Sequence, residues 1–177
     1  MNAIATVCGI GRAPFAPGTW GSLAAALVAT ALLQFSYGWF ILLPAAMLVT
    51  LLGTVASDAY MRTKGTDHDP SEIVIDEVAG QWITYAVWYL WVMGTASGAD
   101  FVLLEMEQTI SFLVIGFLLF RFFDILKPWP IGWADRKVKG GFGVMFDDVL
   151  AGFAAGSVLY LLYLFWPMVT GQMEEMP

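Results

Sequence analysis

The composition of this 177-residue chain is typical of a protein in contact with lipid. Hydrophobic residues make up 59% of it and charged residues only 13%, whereas soluble domains carry about 25% charged residues. The net charge of −7 argues against nucleic-acid binding, which needs a basic surface to neutralise phosphates. The length predicts one domain over residues 1–177. The single cysteine, Cys8, excludes an intramolecular disulfide.

Apolar segments in chain order predict an all-α, polytopic membrane protein of about five apolar helices. A helix needs about 20 apolar residues to cross the hydrocarbon core, and the segments lie near residues 20–35, 39–57, 78–96, 102–120 and 149–169. The first segment is short enough to tilt or re-enter instead of crossing. A cleaved signal peptide is not expected there, because prolines and turn-forming residues precede the segment where a signal would carry basic ones.

The charges predict which side of the membrane the loops occupy. With five spans, stretches 1–19, 58–77 and 121–148 lie on one side, and they hold all eight basic residues. The stretches on the other side carry acidic residues and no basic ones. The positive-inside rule assigns the basic side to the cytoplasm. A polar site is therefore expected at the cytoplasmic face.

Two pairs of adjacent carboxylates open apolar helices and suggest a metal site. Asp76 and Glu77 lie in I-V-I-D-E-V-A-G, and Asp147 and Asp148 lie in V-M-F-D-D-V-L-A-G, which resembles a faint internal repeat. Acidic residues complement the dipole at a helix N-terminus, and this capping role is the simpler alternative. Two pairs beside a membrane, where unpaired charge is costly, fit better the hard oxygen ligands that Mg²⁺ requires.

Candidate phosphate ligands lie near these acids in the sequence. Arg121 and Lys127 suit phosphate, and Asp124, three residues after Arg121, suits a metal or an orienting ion pair. The alternative is that both cations only follow the positive-inside rule. Thr19 and Ser22, in P-G-T-x-G-S, lie at a helix start that suits an anion, or they form a plain N-terminal cap.

The motifs together resemble the phosphatidylglycerophosphatase A family in its membrane-bound form. The resemblance rests on G-x-G-x-x-P-x-x-P-G-T-x-G-S at Gly9–Ser22, on D-x-x-x-x-V-x-D-E-x-x-G-x-W-I-T at Asp69–Thr84, and on the stretch Phe120–Gly152. That stretch contains K-P-W-P-I and D-D-x-x-A-G, and chance does not account for agreement with a family motif over so long a run of uncommon residue types.

The resemblance implies a substrate, a cofactor and further site residues. The family hydrolyses phosphatidylglycerophosphate to phosphatidylglycerol with Mg²⁺ at the bacterial inner membrane. Carried onto this sequence, it adds Asp69, Asp135 and Arg136 to the residues above. We expect catalytic roles for Asp69, Asp124 and Asp135, with Arg136 helping Arg121 and Lys127 to hold phosphate. The resemblance leaves the attacking group and the oligomeric state open.

Two other classes of protein remain as alternatives. A lipid-headgroup transferase would also use Mg²⁺, but the D-G-x-x-A-R signature of CDP-alcohol transferases is absent from the sequence. A small transporter would place carboxylates in mid-span as ion sites, whereas these acids lie in interfacial stretches with basic partners. The phosphatase is therefore the predicted function.

Overall fold

The computed structural model describes residues 1–33, 35, 38–66, 70–95 and 106–170, and within these ranges the chain is helical with no strand. The all-α prediction is confirmed for this part of the chain. Asp69, a predicted catalytic residue, lies outside the described residues. The described residues form three short helical elements and five long helices. Their order is α1 (Asn2–Ala5), a 3₁₀ helix (Val7–Arg12), α2 (Pro17–Leu33), α3 (Gly38–Lys64), α4 (Ile75–Thr95), α5 (Met106–Leu126), α6 (Ile131–Lys137) and α7 (Gly140–Thr170).

The helix boundaries follow from local sequence. Helix α2 begins at Pro17, where proline loses no hydrogen bond and its φ already suits the helix. Helix α5 ends at Leu126 because Lys127 takes a φ of 42° and Pro128 has no N–H to continue the ladder. Helix α7 begins at Gly140, and the N–H of Gly141 donates to Asp58 Oδ1 on α3. This side-chain cap satisfies one of the free donors of the first turn.

Helix α4 lies at the centre of the bundle and contacts α2, α3, α5 and α7. Its closest approach is to α7, where glycines replace larger side chains. A β-carbon at Gly152 would collide with the Gly80 carbonyl, and one at Gly156 would lie 2.5 Å from the Thr84 carbonyl. Small residues let two helix backbones meet in this way. The two polar ends of α4 and α7 are thereby held together.

Aromatic residues fill the bundle further from that end. Trp88 and Phe112 stack with ring centroids 5.3 Å apart, and the Tyr85 hydroxyl donates to the Leu113 carbonyl at 2.8 Å. These side chains are almost fully buried. They fix α5 against α4, which sets the position of the cations at the end of α5.

In the part of the chain that the structure describes, two helices are long and apolar enough to cross a membrane, α3 over Gly38–Lys64 and α7 over Gly140–Trp166. This is fewer than the five predicted spans, although each predicted segment overlaps a long helix. Helix α2 is shorter than a full span. Helix α4 carries Gln81 and Thr84, which are buried against other helices and lower its hydropathy. Large apolar side chains are exposed on all five long helices, among them Leu27, Leu51, Leu90, Leu118 and Phe165.

Candidate active site

The polar site is built where the N-terminal turns of α2 and α4 meet the last turns of α5 and the third turn of α7, which carries Asp147 and Asp148. The approach of α2 depends on Gly18, because a β-carbon there would collide with Glu77 Oε1 and lie 3.3 Å from Arg121 Nη1. Helices α2 and α4 therefore point their N-termini at one place, where their dipoles favour negative charge. The prediction that Asp147 and Asp148 also open a helix is wrong, because α7 begins two turns earlier at Gly140. The sequence analysis did not identify Gly18 as a site residue.

Three carboxylates form the centre of the site. Asp76, Glu77 and Asp148 each place one oxygen within 4.8 Å of the others. Asp76 and Asp148 are only 6% and 3% exposed. Carboxylates this close and this dry repel one another unless a cation or protons lie between them. The structure thus brings Asp76 and Glu77 of the first acid pair next to Asp148 of the second, and Asp148 is the member of this cluster that α7 contributes.

The glycine contact between α4 and α7 explains why Asp148 is that member. Asp76 stands four residues before Gly80, and Asp148 stands four residues before Gly152. Residues four apart lie on the same helix face, so each acid lies one turn above the glycine at which the backbones meet. Aligning the segments I-V-I-D-E-V-A-G and V-M-F-D-D-V-L-A-G by their final glycines, instead of by their acid pairs, places Asp148 opposite Asp76 and would have identified it from the sequence.

Arg121 links three of the converging helices. Its Nη1 lies 2.5 Å from Asp124 Oδ2, one turn further along α5, and 3.8 Å from Glu77 Oε1 on α4. The same nitrogen donates to Ser22 Oγ on α2 at 3.3 Å. Arg121 and Asp124 are about as buried as Glu77, with side chains 15%, 12% and 14% exposed. The predicted orienting ion pair between Arg121 and Asp124 is present.

Lys127 forms a second ion-pair network beside the cluster. Its Nζ lies 2.5 Å from both Asp135 Oδ1 on α6 and Asp147 Oδ2 on α7. Burial alone would lower the pKa of Lys127, but the hydrogen bonds and charges of Asp135 and Asp147 outweigh burial and raise that pKa above its ordinary value. Lys127 therefore stays protonated at neutral pH and keeps Asp147 next to a positive charge.

The structure separates the predicted site residues into two groups. The first group adjoins the carboxylate cluster or the two cation networks and comprises Ser22, Asp76, Glu77, Arg121, Asp124, Lys127, Asp135, Asp147 and Asp148. The second comprises Arg136, which is exposed on α6, and Thr19, which is half-buried. Within the described ranges, no hydrogen bond or ion pair joins Arg136 or the Thr19 hydroxyl to the cluster.

The donor set fits Mg²⁺. Its ligands would be carboxylate oxygens, which are the hard donors that Mg²⁺ binds alongside water and phosphate. Glu77 Oε2, Asp147 Oδ1 and Asp148 Oδ2 are buried without a hydrogen-bond partner among the described residues. Buried polar atoms are normally paired, so these oxygens have free capacity for a ligand. Carboxylates also outnumber the neighbouring cations Arg121 and Lys127.

The fold and site define an all-helical protein with a buried carboxylate cluster suited to a divalent cation and flanked by cations suited to phosphate. The chain belongs to the phosphatidylglycerophosphatase A family, whose family model matches residues 3–163. The predicted family membership is thereby confirmed, and neither alternative class is favoured.

Three curated relatives are similar in sequence to most of this chain. A phosphatidylglycerophosphatase A of Escherichia coli is 34% identical over 94% of this chain and 86% of its own length. The Haemophilus influenzae protein of the same name is 35% identical over 92% and 88%. A Bacteroides thetaiotaomicron protein, provisionally named a phosphatidylinositol-3-phosphatase, is 35% identical over 84% of each chain. No solved structure matches the chain.

Proposed function

We propose that this protein is a Mg²⁺-dependent phosphatase that converts phosphatidylglycerophosphate into phosphatidylglycerol and inorganic phosphate. The observation that carries the proposal is the cluster of Asp76, Glu77 and Asp148 beside Arg121, in a chain of the phosphatidylglycerophosphatase A family. The reaction adds water to the terminal phosphorus, breaks its bond to the glycerol oxygen and returns a proton to that oxygen. Phosphatidylglycerol and phosphate leave.

The three clustered carboxylates would hold Mg²⁺, with Asp147 Oδ1 at their side. A bound Mg²⁺ supplies positive charge that stabilises the phosphoryl oxygens as negative charge develops on them. The cluster is dry, so each of its electrostatic interactions is stronger than it would be in water. No lysine or histidine in the described residues lies among the three acids to replace that charge.

Arg121 and Lys127 orient the phosphate. Arg121 keeps Nη1 on Asp124 and Glu77, while its buried Nε has no hydrogen-bond partner among the described residues. That N–H is a donor for a phosphate oxygen, and Asp124 holds the guanidinium plane in place for it. Lys127 brings a permanent positive charge to the opposite side, held by Asp135 and Asp147.

The protein would work as a multi-pass protein of the bacterial inner membrane, with this site facing the cytoplasm. The membrane helices α3 and α7 and the exposed apolar faces of α2 and α5 support that placement. The N-termini of α2 and α4 and the N-terminal part of α7 meet the C-terminal part of α5 at the site, and all basic residues lie in the stretches at that end. Such a site meets a lipid headgroup while the acyl chains stay in the leaflet.

Phosphate release in detergent micelles tests the proposal. Wild-type protein should release phosphate from phosphatidylglycerophosphate with Mg²⁺ and not with excess EDTA, and Asp148→Asn should lose at least about 100-fold, a typical loss for a group that stabilises the transition state. Asp58→Asn is the matched control, because Asp58 caps α7 outside the cluster. Release that survives EDTA would refute the role of the metal.

The Bacteroides relative supplies the competing substrate, a phosphomonoester on an inositol lipid. The same assay with phosphatidylinositol 3-phosphate decides between the two headgroups through the ratio of kcat/KM values. A ratio favouring the inositol lipid would keep the phosphatase and the metal site but replace the substrate. No release from either lipid by folded protein would refute the phosphatase itself.

A further inference from the structure

A groove of about 470 Å³ lies between the 3₁₀ helix and the outer face of α2. Leu23, Ala24 and Leu27 form its apolar part, while Arg12 and Trp20 lie where α2 begins. The groove takes no part in the site described above. Its described lining includes one cation and no carboxylate, which favours an anionic ligand with an apolar tail.

The groove and the carboxylate cluster lie on opposite faces of the same helix. Gly18 and Ser22 are buried, and Ser22 accepts a hydrogen bond from Arg121. Trp20, Leu23 and Leu27 are exposed by 53%, 36% and 63% on the other side. The N-terminal part of α2 therefore separates the groove from the cluster.

Arg12 gives the groove a polar head. It is exposed and makes no ion pair within 4.0 Å of a described residue, although its charge reaches Glu72. An exposed arginine at the end of an apolar channel, next to an indole, matches the order of polar and apolar groups in a phospholipid at the bilayer interface. Its planar guanidinium suits a phosphodiester oxygen pair.

We propose that this groove binds the diacylglycerol phosphodiester part of the lipid substrate, with Arg12 on the diester phosphate and one acyl chain along Leu23, Ala24 and Leu27. This inference rests on the proposed function, because that substrate carries a diester phosphate one glycerol unit away from the phosphate to be removed. The headgroup passes over the first turn of α2, and the terminal phosphate enters the cluster. The groove thus selects lipid-linked phosphomonoesters over free ones.

The test compares the diacyl substrate with its deacylated analogue, which keeps both phosphates and lacks the chains. Ala24→Phe fills the groove, and it should lower kcat/KM for the diacyl lipid about tenfold, the effect of removing about two methylenes from apolar contact. The same variant should leave kcat/KM for the deacylated analogue unchanged. Arg12→Gln should lower kcat/KM for both compounds by roughly fivefold, which corresponds to the upper range for an exposed ion pair. The analogue is measured by turnover or by competitive inhibition.

Two matched variants control for nonspecific damage. Ala45→Phe adds the same ring to α3 away from the groove, and Arg62→Gln removes a different exposed arginine. Both should leave the diacyl and deacylated values unchanged. Equal losses on both compounds for Ala24→Phe, or no loss on the diacyl lipid, would overturn the proposal.

Equilibrium binding in EDTA separates this inference from the proposed function. Wild-type protein without metal should still bind the diacyl lipid, and Ala24→Phe should bind it about tenfold more weakly. Weakened binding together with no hydrolysis by the wild type would refute the phosphatase and keep the groove. Unchanged binding by Ala24→Phe alongside normal hydrolysis would refute the groove and keep the phosphatase.

Discussion

Replacing Asp148 by asparagine should stabilise the metal-free protein while removing its response to Mg²⁺. Asp148 is 3% exposed, its Oδ2 has no hydrogen-bond partner among the described residues, and two other carboxylates lie within 4.8 Å. At that distance two unit charges repel by about 3.5 kcal/mol at an effective dielectric constant of 20, and by about 0.9 kcal/mol in water. Asparagine keeps the shape of the side chain and removes the charge.

The expected gain lies between those limits, at about 2 kcal/mol in EDTA, because Arg121 already offsets part of the repulsion. For a chain of this length that corresponds to a Tm about 4 to 8 °C higher. Wild-type protein should gain about 2.7 kcal/mol when Mg²⁺ reaches 100 times its Kd, and the variant should gain little. Thermal unfolding in detergent, with EDTA and with Mg²⁺, measures both effects without relying on activity.

Asp147→Asn is the control that gives this experiment its contrast. Asp147 Oδ2 bonds Lys127 Nζ, so removing its charge takes away an attraction instead of a repulsion. Its Tm in EDTA should fall while that of Asp148→Asn rises. A fall for both variants would show that Asp148 makes a net stabilising contribution in the metal-free protein, and the electrostatic reasoning about the cluster would be wrong.

Three further outcomes are expected from the same structure. Gly152→Val should lower the free energy of unfolding by about 1 to 3 kcal/mol, because the valine side chain meets the Gly80 backbone. Gly94 has open space around it, so Gly94→Ala is the control and should be neutral or slightly stabilising in the same thermal assay. Lys127→Met should cost about 3 kcal/mol or more in denaturant unfolding, because buried Asp147 loses its cation. Since the pKa of Lys127 is raised, that cost should be fully present below the unfolded value of about 10.4 and disappear only as the pH rises through the folded value. The free energies of unfolding of wild type and Lys127→Met should differ by a constant amount at pH values between about 6 and 9. A difference that shrinks in this range would contradict the ion pair between Lys127 and Asp147 as its cause.

The helices themselves could be predicted from the sequence because their signals are local. Apolar runs are interrupted by turn residues near Gly38 and by Pro128, and α3 begins at Gly38 while α5 ends at Leu126. The number of spans was harder to predict, because an apolar segment does not reveal whether it faces lipid or protein. Helix α4 is the clearest case, with Gln81 and Thr84 buried in the centre of the bundle.

The sequence was enough to predict which residues belong to the site, but not which of them contact one another. Residue type and membrane cost identified Asp76, Glu77 and the second acid pair. Which acid of that pair faces the cluster depends on the helix face, and that face is set by the contact between Gly80 and Gly152. The closeness of α2 also depends on a glycine, Gly18, whose meaning is visible only when Glu77 lies opposite.

The order of the site residues along the chain has a consequence for synthesis. Glu77 emerges from the ribosome first, Arg121 later and Asp148 last, because α4, α5 and α7 follow in that order. A growing chain therefore supplies the cation that pairs with Glu77 before it adds the third clustered carboxylate. A protein halted before α7 has neither the complete cluster nor the Gly80 contact that holds it, so the cluster forms only once the last described helix has packed.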